Sequence, residues 1–235
     1  MGGSVSCPSR YGMTPARSAA AGIALWWLVC LMLGLPAWWV GWVPLDQSPQ
    51  TWSALAQTWA MHPDAGIHQP VWVWWSTGWL HGSALHLSRN LMALGLMALL
   101  AATSGVSTRA AIVWALTWPL THLGMLLQPA LHTYIGMSGV LHAGVAVLCA
   151  QHIESGQPRL LKQFGWLLLF GLGFKIFMEN PWHMPLEHPP GSDITVAPWA
   201  HLSGSVAGIT LYMLSSVTKR LICVTRLTPA TRTLD

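Results

Sequence analysis

The sequence predicts an all-α membrane protein, a bundle of six transmembrane helices with a long Trp-rich first outer loop. Three observations carry this. Of 235 residues, 53% are hydrophobic and only 8% charged, for a mean hydropathy of +0.46, whereas an average soluble domain is about a quarter charged. The few charges punctuate apolar runs long enough to cross a bilayer, which takes about 20 residues. The basic residues also gather on one side of those runs. An excess of 11 Lys+Arg over 7 Asp+Glu points to nucleic acid in a polar protein, but between apolar runs it reports topology instead. No nucleic-acid partner is expected; the lipid bilayer is.

The spans follow in order. No charge falls between Arg17 and Asp46, and residues 19–42 form the first. Arg89 and Arg109 bracket the second, which starts upstream near Leu85. The uncharged stretch from Ala110 to Ile153 is too long for one span; Gln128-Pro129 and His132-Thr133-Tyr134 break it into spans near 110–127 and 136–152. Residues 160–178 make a fifth, with Lys162 and Lys175 snorkelling from its ends. Residues 197–218 make the sixth.

The positive-inside rule orients the bundle. With the N-terminus inside, Arg10, Arg17, Arg109, Arg159, Lys162, Lys219, Arg220, Arg226 and Arg232 are cytoplasmic, and only Arg89 and Lys175 are not. Asp46, Asp64, Glu179, Glu187 and Asp193 fall outside. The expected layout is a cytoplasmic tail over 1–18, a membrane domain over 19–218 and a basic cytoplasmic tail over 219–235. The first apolar run is too long for a signal-peptide core and lacks a small-x-small cleavage site, so it reads as an uncleaved anchor. Cys7 and Cys223 fall in the cytoplasm and Cys30 and Cys149 within spans, which predicts reduced thiols and no disulfide framework.

The tryptophans are unusual: 16, against 3 Tyr and 4 Phe. Eleven fall at or beyond the outer ends of the spans, including six (Trp52, Trp59, Trp72, Trp74, Trp75 and Trp79) between Asp46 and Gly82. Trp favours the membrane interface, where its ring is apolar and its N–H can bond. The segment is either an aromatic belt or a loop in the outer leaflet that shapes access to a site.

Polar residues inside spans are costly and mark functional sites by default. Three groups qualify: His81-Gly-Ser-Ala-Leu-His86-Leu-Ser-Arg-Asn90, Gly136-Met-Ser138-Gly139 with His142, and Ala200-His201-Leu-Ser-Gly204-Ser-Val-Ala-Gly208. They open spans two, four and six, which all run from outside to inside, so they share one depth. Ser138 lies between glycines at a helix start, where free N–H groups and the positive dipole end favour a developing anion. A serine needs a base, and His201 is a candidate. Gly204 and Gly208 form a small-xxx-small face that brings helices together; if the partner is span four, His201 reaches Ser138. His86 and Asn90, four residues apart, share a helix face and can donate hydrogen bonds to an oxyanion. Each part alone also fits ordinary helix packing.

Taken together, His81-x4-His86-x3-Asn90, Gly136-x-Ser138-Gly139 and Ala200-His201-x2-Gly204-x3-Gly208 resemble the motif set of the rhomboid intramembrane serine proteases, over about residues 19–218. The resemblance implies a six-span bundle in a bacterial inner membrane, with the active site opening on the periplasmic side. It implies Ser138 as nucleophile and His201 as base, a dyad without an acid. It also implies an oxyanion hole of His86, Asn90 and the Ser138 N–H, and a His81 that holds the second helix to the first loop. Where many rhomboids carry a tyrosine that stacks on the catalytic histidine, this chain has His142. His142 either stacks on His201 or packs with its ring bonded. The Ser138-Gly-Val-Leu-His142 run and the compact layout look like the rhombosortase branch, whose expected substrates carry a C-terminal Gly-Gly sorting helix. The implied partners are therefore membrane-anchored proteins with a transmembrane helix; oligomeric state is left open, as is whether Glu187 or Asp193 assists His201.

Two other readings fit the sequence. One is an inactive rhomboid-like protein that binds clients without cutting them. The other, prompted by 11 histidines, is a metal- or haem-binding membrane protein. No HExxH motif occurs, which removes a zinc protease of that type. His62, His68, His132, His183 and His188 fall in outer loops, while His122 and His152 have no assigned partner. No metal or cofactor is expected.

Overall fold

A computed structural model describes residues 15–44, 48–154, 156–188 and 193–227. Cys7, Arg10, Asp46 and Arg232, and the side chains of Arg17, Lys219, Arg220, Cys223 and Arg226, lie outside the described residues. Eight α-helices carry the described chain: α1 (Pro15–Val40), α2 (Ala54–Trp59), α3 (Val73–Ser76), α4 (Ala84–Ser104), α5 (Thr108–Leu123), α6 (Ser138–Ile153), α7 (Arg159–Met178) and α8 (Pro198–Leu227). Among the described residues no strand forms, only isolated bridges at Met61–Tyr134 and Glu187–Val196.

Ala19–Val40, Ala84–Ser104, Thr108–Leu127 and Arg159–Met178 are each long and apolar enough to cross a membrane; α6 is apolar but shorter. Large apolar side chains such as Met92, Leu96, Phe170 and Phe174 face outward, the inverse of a soluble surface and the arrangement a lipid environment favours. The chain is a multi-pass membrane protein.

Local chemistry sets the helix ends. Ser83 caps α4, accepting from His86 N–H at 3.0 Å, and Ser107 caps α5, accepting from Ala110 N–H. Gln151 of α6 ties down the α4–α5 turn: its Oε1 accepts from the Ser107 backbone N–H and hydroxyl, and its Nε2 donates to Gly105 O. Beyond α5 a 3-10 turn over Gly124–Leu127 carries the chain to Gln128-Pro129, where proline denies the next helical hydrogen bond.

Helix α6 is buried along almost its whole length and packs against α5, α7 and α8, most extensively against α8. The close approach comes from glycine. A β-carbon on Gly208 would sit 2.5 Å from Ala143 O, and one on Gly204 would collide with Gly139 O. Trp26 of α1 packs against Trp114 of α5 with ring centres 4.2 Å apart and planes tilted by 34°, and Trp114 Nε1 donates to Val140 O, fastening α1, α5 and α6 together.

At the far end of the bundle Arg109 bonds Glu154, Tyr212 and Ser216 and lies over the Tyr212 ring. Burial raises the Glu154 carboxyl, but the Arg109 charge and the surrounding hydrogen bonds outweigh it and hold that group below its ordinary value. The ion pair joins the start of α5 to the end of α6 and the middle of α8.

The segment between α1 and α4 has local structure of its own among the described residues. It folds into α2, α3 and short 3-10 turns, and its tryptophans bond neighbouring backbone. Trp52 donates to Pro44 O, Trp72 to Thr58 O and Trp79 to Met32 O, while Trp118 of α5 donates to Trp75 O. Trp38, Trp39 and Trp42 instead stand exposed, as interfacial anchors do. Cys30 and Cys149 are buried free thiols.

Two expectations follow. Gly204→Val drives a side chain into the Gly139 carbonyl and lowers unfolding free energy by about 3 kcal/mol, measured as a drop in thermal midpoint in detergent; an unchanged midpoint contradicts the close contact. His81, fully buried before α4, is pushed by burial from 6.5 to about 3. Between those values the unfolded chain binds a proton that the folded chain refuses. Its contribution is therefore complete above pH 6.5 and lost as pH falls toward 3. The thermal midpoint accordingly drops on acidification, and less steeply in His81→Gln.

Candidate active site

The three polar groups converge at one end of the bundle. Ser138 is the first residue of α6, His201 the fourth of α8, and His86 and Asn90 lie in the first two turns of α4. Because α7 runs the other way, its C-terminal end and Glu179 arrive at the same place.

Ser138 Oγ lies 2.9 Å from His201 Nε2, so the hydroxyl can donate to the ring. The other ring nitrogen, Nδ1, lies 2.7 Å from Glu179 Oε2. A carboxylate can only accept, which puts the His201 proton on Nδ1 and leaves Nε2 as the acceptor for Ser138. Lys175 Nζ pairs with Glu179 Oε1 at 2.5 Å and sits 3.4 Å from His201 Nδ1. His201 is only 4% exposed. Burial raises the Glu179 carboxyl, but hydrogen bonds from His201 and Lys175 and their charges outweigh it, keeping the group below its ordinary value.

His142, one helical turn after Ser138, stacks on His201 with ring centres 3.9 Å apart and planes within 12°. Its Nδ1 also lies 2.7 Å from Ser138 O. The two alternatives open for this residue therefore hold together: it stacks, and its ring is bonded. His81 is fully buried, its Nδ1 3.3 Å from Trp79 O and its ring edge-on to His86 at 5.0 Å. Its carbonyl accepts from Val43 N–H, which joins the end of α1, the first loop and α4.

A cavity of about 300 Å³ opens over these groups, lined by His86, Asn90, Ser138, His142, His201, Lys175 and Glu179 among others. Buried atoms His86 Nδ1 and Asn90 Nδ2 have no partner within the protein. Such donors are costly unless something else bonds them, and both residues line this cavity. No side chain caps α6 at Met137, in contrast to α4 and α5, so the positive helix end stands uncapped beside Ser138. Gly136 turns the chain into α6 at φ +124°, and a β-carbon there would lie 3.2 Å from the His86 ring; glycine alone fits both the backbone and the space. Gly139, Gly204 and Gly208 seat α8 against α6.

Of the acids, it is the Glu179 carboxylate, not that of Glu187 or Asp193, that bonds His201 Nδ1; the sequence places Glu179 only on the outer side. The available signal was the Lys175–Glu179 pair, four residues apart at the outer end of an otherwise apolar span.

His142, Glu179 and His201 offer ligand atoms within 4.8 Å of one another. A metal must lie in the plane of each imidazole it binds, and two rings stacked within 12° have no shared in-plane point between them. Lys175 adds a competing cation. The donor set is a poor fit to a metal. His122 and His152 each hold one ring nitrogen, Nδ1, against backbone, at Trp74 O and Leu148 O, with Nε2 unpartnered.

A Rhomboid domain matches residues 68–217, well over half of the chain, and covers all three groups. The chain belongs to the rhomboid family. Rhomboid proteins are serine intramembrane proteases acting on membrane proteins, and some members are inactive. Among curated proteins no relative matches.

Stacking by His142 has a measurable side. His142→Phe keeps an aromatic face on His201, whereas His142→Ala loses it, and the alanine variant is expected to be less stable by about 1 kcal/mol in denaturant unfolding. Equal stability of the two variants contradicts a stabilising stack.

Proposed function

We propose that this protein is an intramembrane serine endopeptidase that cuts membrane-anchored proteins close to the outer membrane face. The observation that carries the proposal is the 2.9 Å approach of His201 Nε2 to Ser138 Oγ beside two unpartnered buried donors. That geometry favours an active enzyme over an inactive client-binding relative. Six spans, α1, α4, α5, α6, α7 and α8, place both termini, 1–18 and 219–235, in the cytoplasm of a bacterial inner membrane by the positive-inside rule. The site then opens to the periplasm.

The chemistry follows from the atoms. A substrate segment unwound near small or helix-breaking residues presents its scissile carbonyl to Ser138. His201 takes the Ser138 proton as Oγ attacks, and the oxyanion is bonded by His86, Asn90 and the Ser138 N–H. His201 passes that proton to the leaving amine. Water from the outer side then hydrolyses the acyl-enzyme, with His201 again as base. The Ser138-Gly-Val-Leu-His142 run supports a rhombosortase-like specificity, removal of C-terminal Gly-Gly sorting anchors.

The test is co-expression with substrates bearing such an anchor. Ser138→Ala and His201→Ala are expected to abolish cleavage and fluorophosphonate labelling while the thermal midpoint holds. Asn90→Ala or His86→Ala lowers kcat by about 10²-fold, and a chelator leaves the rate unchanged. Cleavage retained in Ser138→Ala overturns the nucleophile assignment. Cutting of generic transmembrane substrates but not Gly-Gly anchors overturns the narrower specificity.

A further inference from the structure

We propose that Glu179 is the third member of a Ser138–His201–Glu179 triad, a positioning residue whose pull on the imidazole Lys175 tempers; this rests on Ser138 as nucleophile and His201 as base. The resemblance implies a dyad without an acid, so the carboxylate is a feature of this chain's own geometry.

The linkage is continuous: Ser138 Oγ to His201 Nε2 at 2.9 Å, then His201 Nδ1 to Glu179 Oε2 at 2.7 Å, then Glu179 Oε1 to Lys175 Nζ at 2.5 Å. Each contact constrains the next. The carboxylate cannot donate, so it selects the Nδ1–H tautomer, the one whose Nε2 can take the serine proton. Held on both sides, the ring cannot rotate out of line with Ser138, and stacking on His142 blocks tilting. As Ser138 attacks, its proton moves to Nε2 and the imidazolium gains a neighbouring negative charge. Glu179 keeps its charge and takes no proton. The proton leaves from Nε2 to the departing amine, which closes the balance.

Lys175 gives the device its particular strength. Its ammonium shares the carboxylate and stands beside the same ring nitrogen, so it weakens the field that Glu179 exerts on His201. The acid and the cation both come from α7, the nucleophile from α6 and the base from α8. Other titratable or charged groups near the ring are His142 on α6, which faces it, and His86 and Arg89 on α4 and Tyr134 before α6, which line the same cavity.

A purely structural Lys175–Glu179 pair makes a distinguishable claim: either substitution breaks the same ion pair and has the same consequence. The triad demands opposite ones. With the full-length protein in detergent, the rate of fluorophosphonate labelling of Ser138 is measured against pH. Glu179→Gln removes the negative charge from beside the imidazole. It is expected to move the acid limb about one unit lower and to slow the plateau by about 100-fold, less than the loss seen where a fully buried triad acid is replaced, because Glu179 is one-fifth exposed and shared with Lys175. Lys175→Met frees the carboxylate and moves the limb higher. Glu179→Asp restores part of the plateau and returns the limb toward the wild-type position.

Limbs that shift together, or do not shift, with Ser138→Ala unreactive overturn the positioning role while leaving the enzyme reading intact. Labelling that persists in Ser138→Ala overturns the enzyme reading itself. Should Glu179→Gln fail to fold, Lys175→Met decides alone, since that side chain is about half exposed; no upward shift in it overturns the proposal.

Discussion

The molecule depends on how closely α6 and α8 approach. Lipid tails are as apolar as leucine, so helices in a bilayer gain little from hydrophobic burial against one another and rely on packing and interhelical hydrogen bonds. Gly204 and Gly208 let the α8 backbone settle onto Gly139 and Ala143 at distances that no side chain tolerates. Everything chemical follows from that seat. His201 stands three residues before Gly204, so the contact that packs the helices also carries the imidazole to Ser138. A wider spacing by even one methyl group breaks a 2.9 Å hydrogen bond.

The two ends of the bundle handle polarity in opposite ways. At one end Arg109, Glu154, Tyr212 and Ser216 satisfy one another across α5, α6 and α8, a closed network. At the other, His86 and Asn90 keep unpartnered donors beside a cavity, and α6 begins without a side-chain cap. Unbonded polar atoms in a low-dielectric region cost stability. Two of them beside a cavity and a serine–histidine pair suit the oxyanion hole proposed above. The closed network and the glycine contact supply the rigidity that lets the open end keep its donors free.

The tryptophans divide by role. Trp38, Trp39 and Trp42 stand exposed, where an amphipathic ring suits the interface. In the segment between α1 and α4, Trp52 is buried, and Trp52, Trp72 and Trp79 donate to backbone carbonyls of α1 and of the segment itself. Trp59 and Trp79 meet edge to face, and Trp79 meets Trp118 of α5 in the same way. The segment is thereby held against the helices that frame the site.

Much was legible in the sequence for a physical reason. Hydropathy and charge are local properties, so the apolar runs and their breaks at Arg109 and Gln128-Pro129 could be read along the chain. The motif residues were also readable: buried polar side chains are costly in a membrane, so His86, Asn90, Ser138 and His201 stood out against their apolar surroundings. Their meeting at one end followed once the spans were taken to alternate. Glu179 was not legible, because a carboxylate at a helix end has many ordinary explanations and only the packing of α7 on α6 brings it to His201 Nδ1. The same holds for His142, whose two roles are compatible only in three dimensions, and for the backbone partners of Trp52, Trp72 and Trp79. Composition and pattern determined what kind of protein this is and which residues the proposed chemistry rests on. Tertiary structure alone decided which acid faces the histidine, because that depends on distances between helices that the order of residues does not contain.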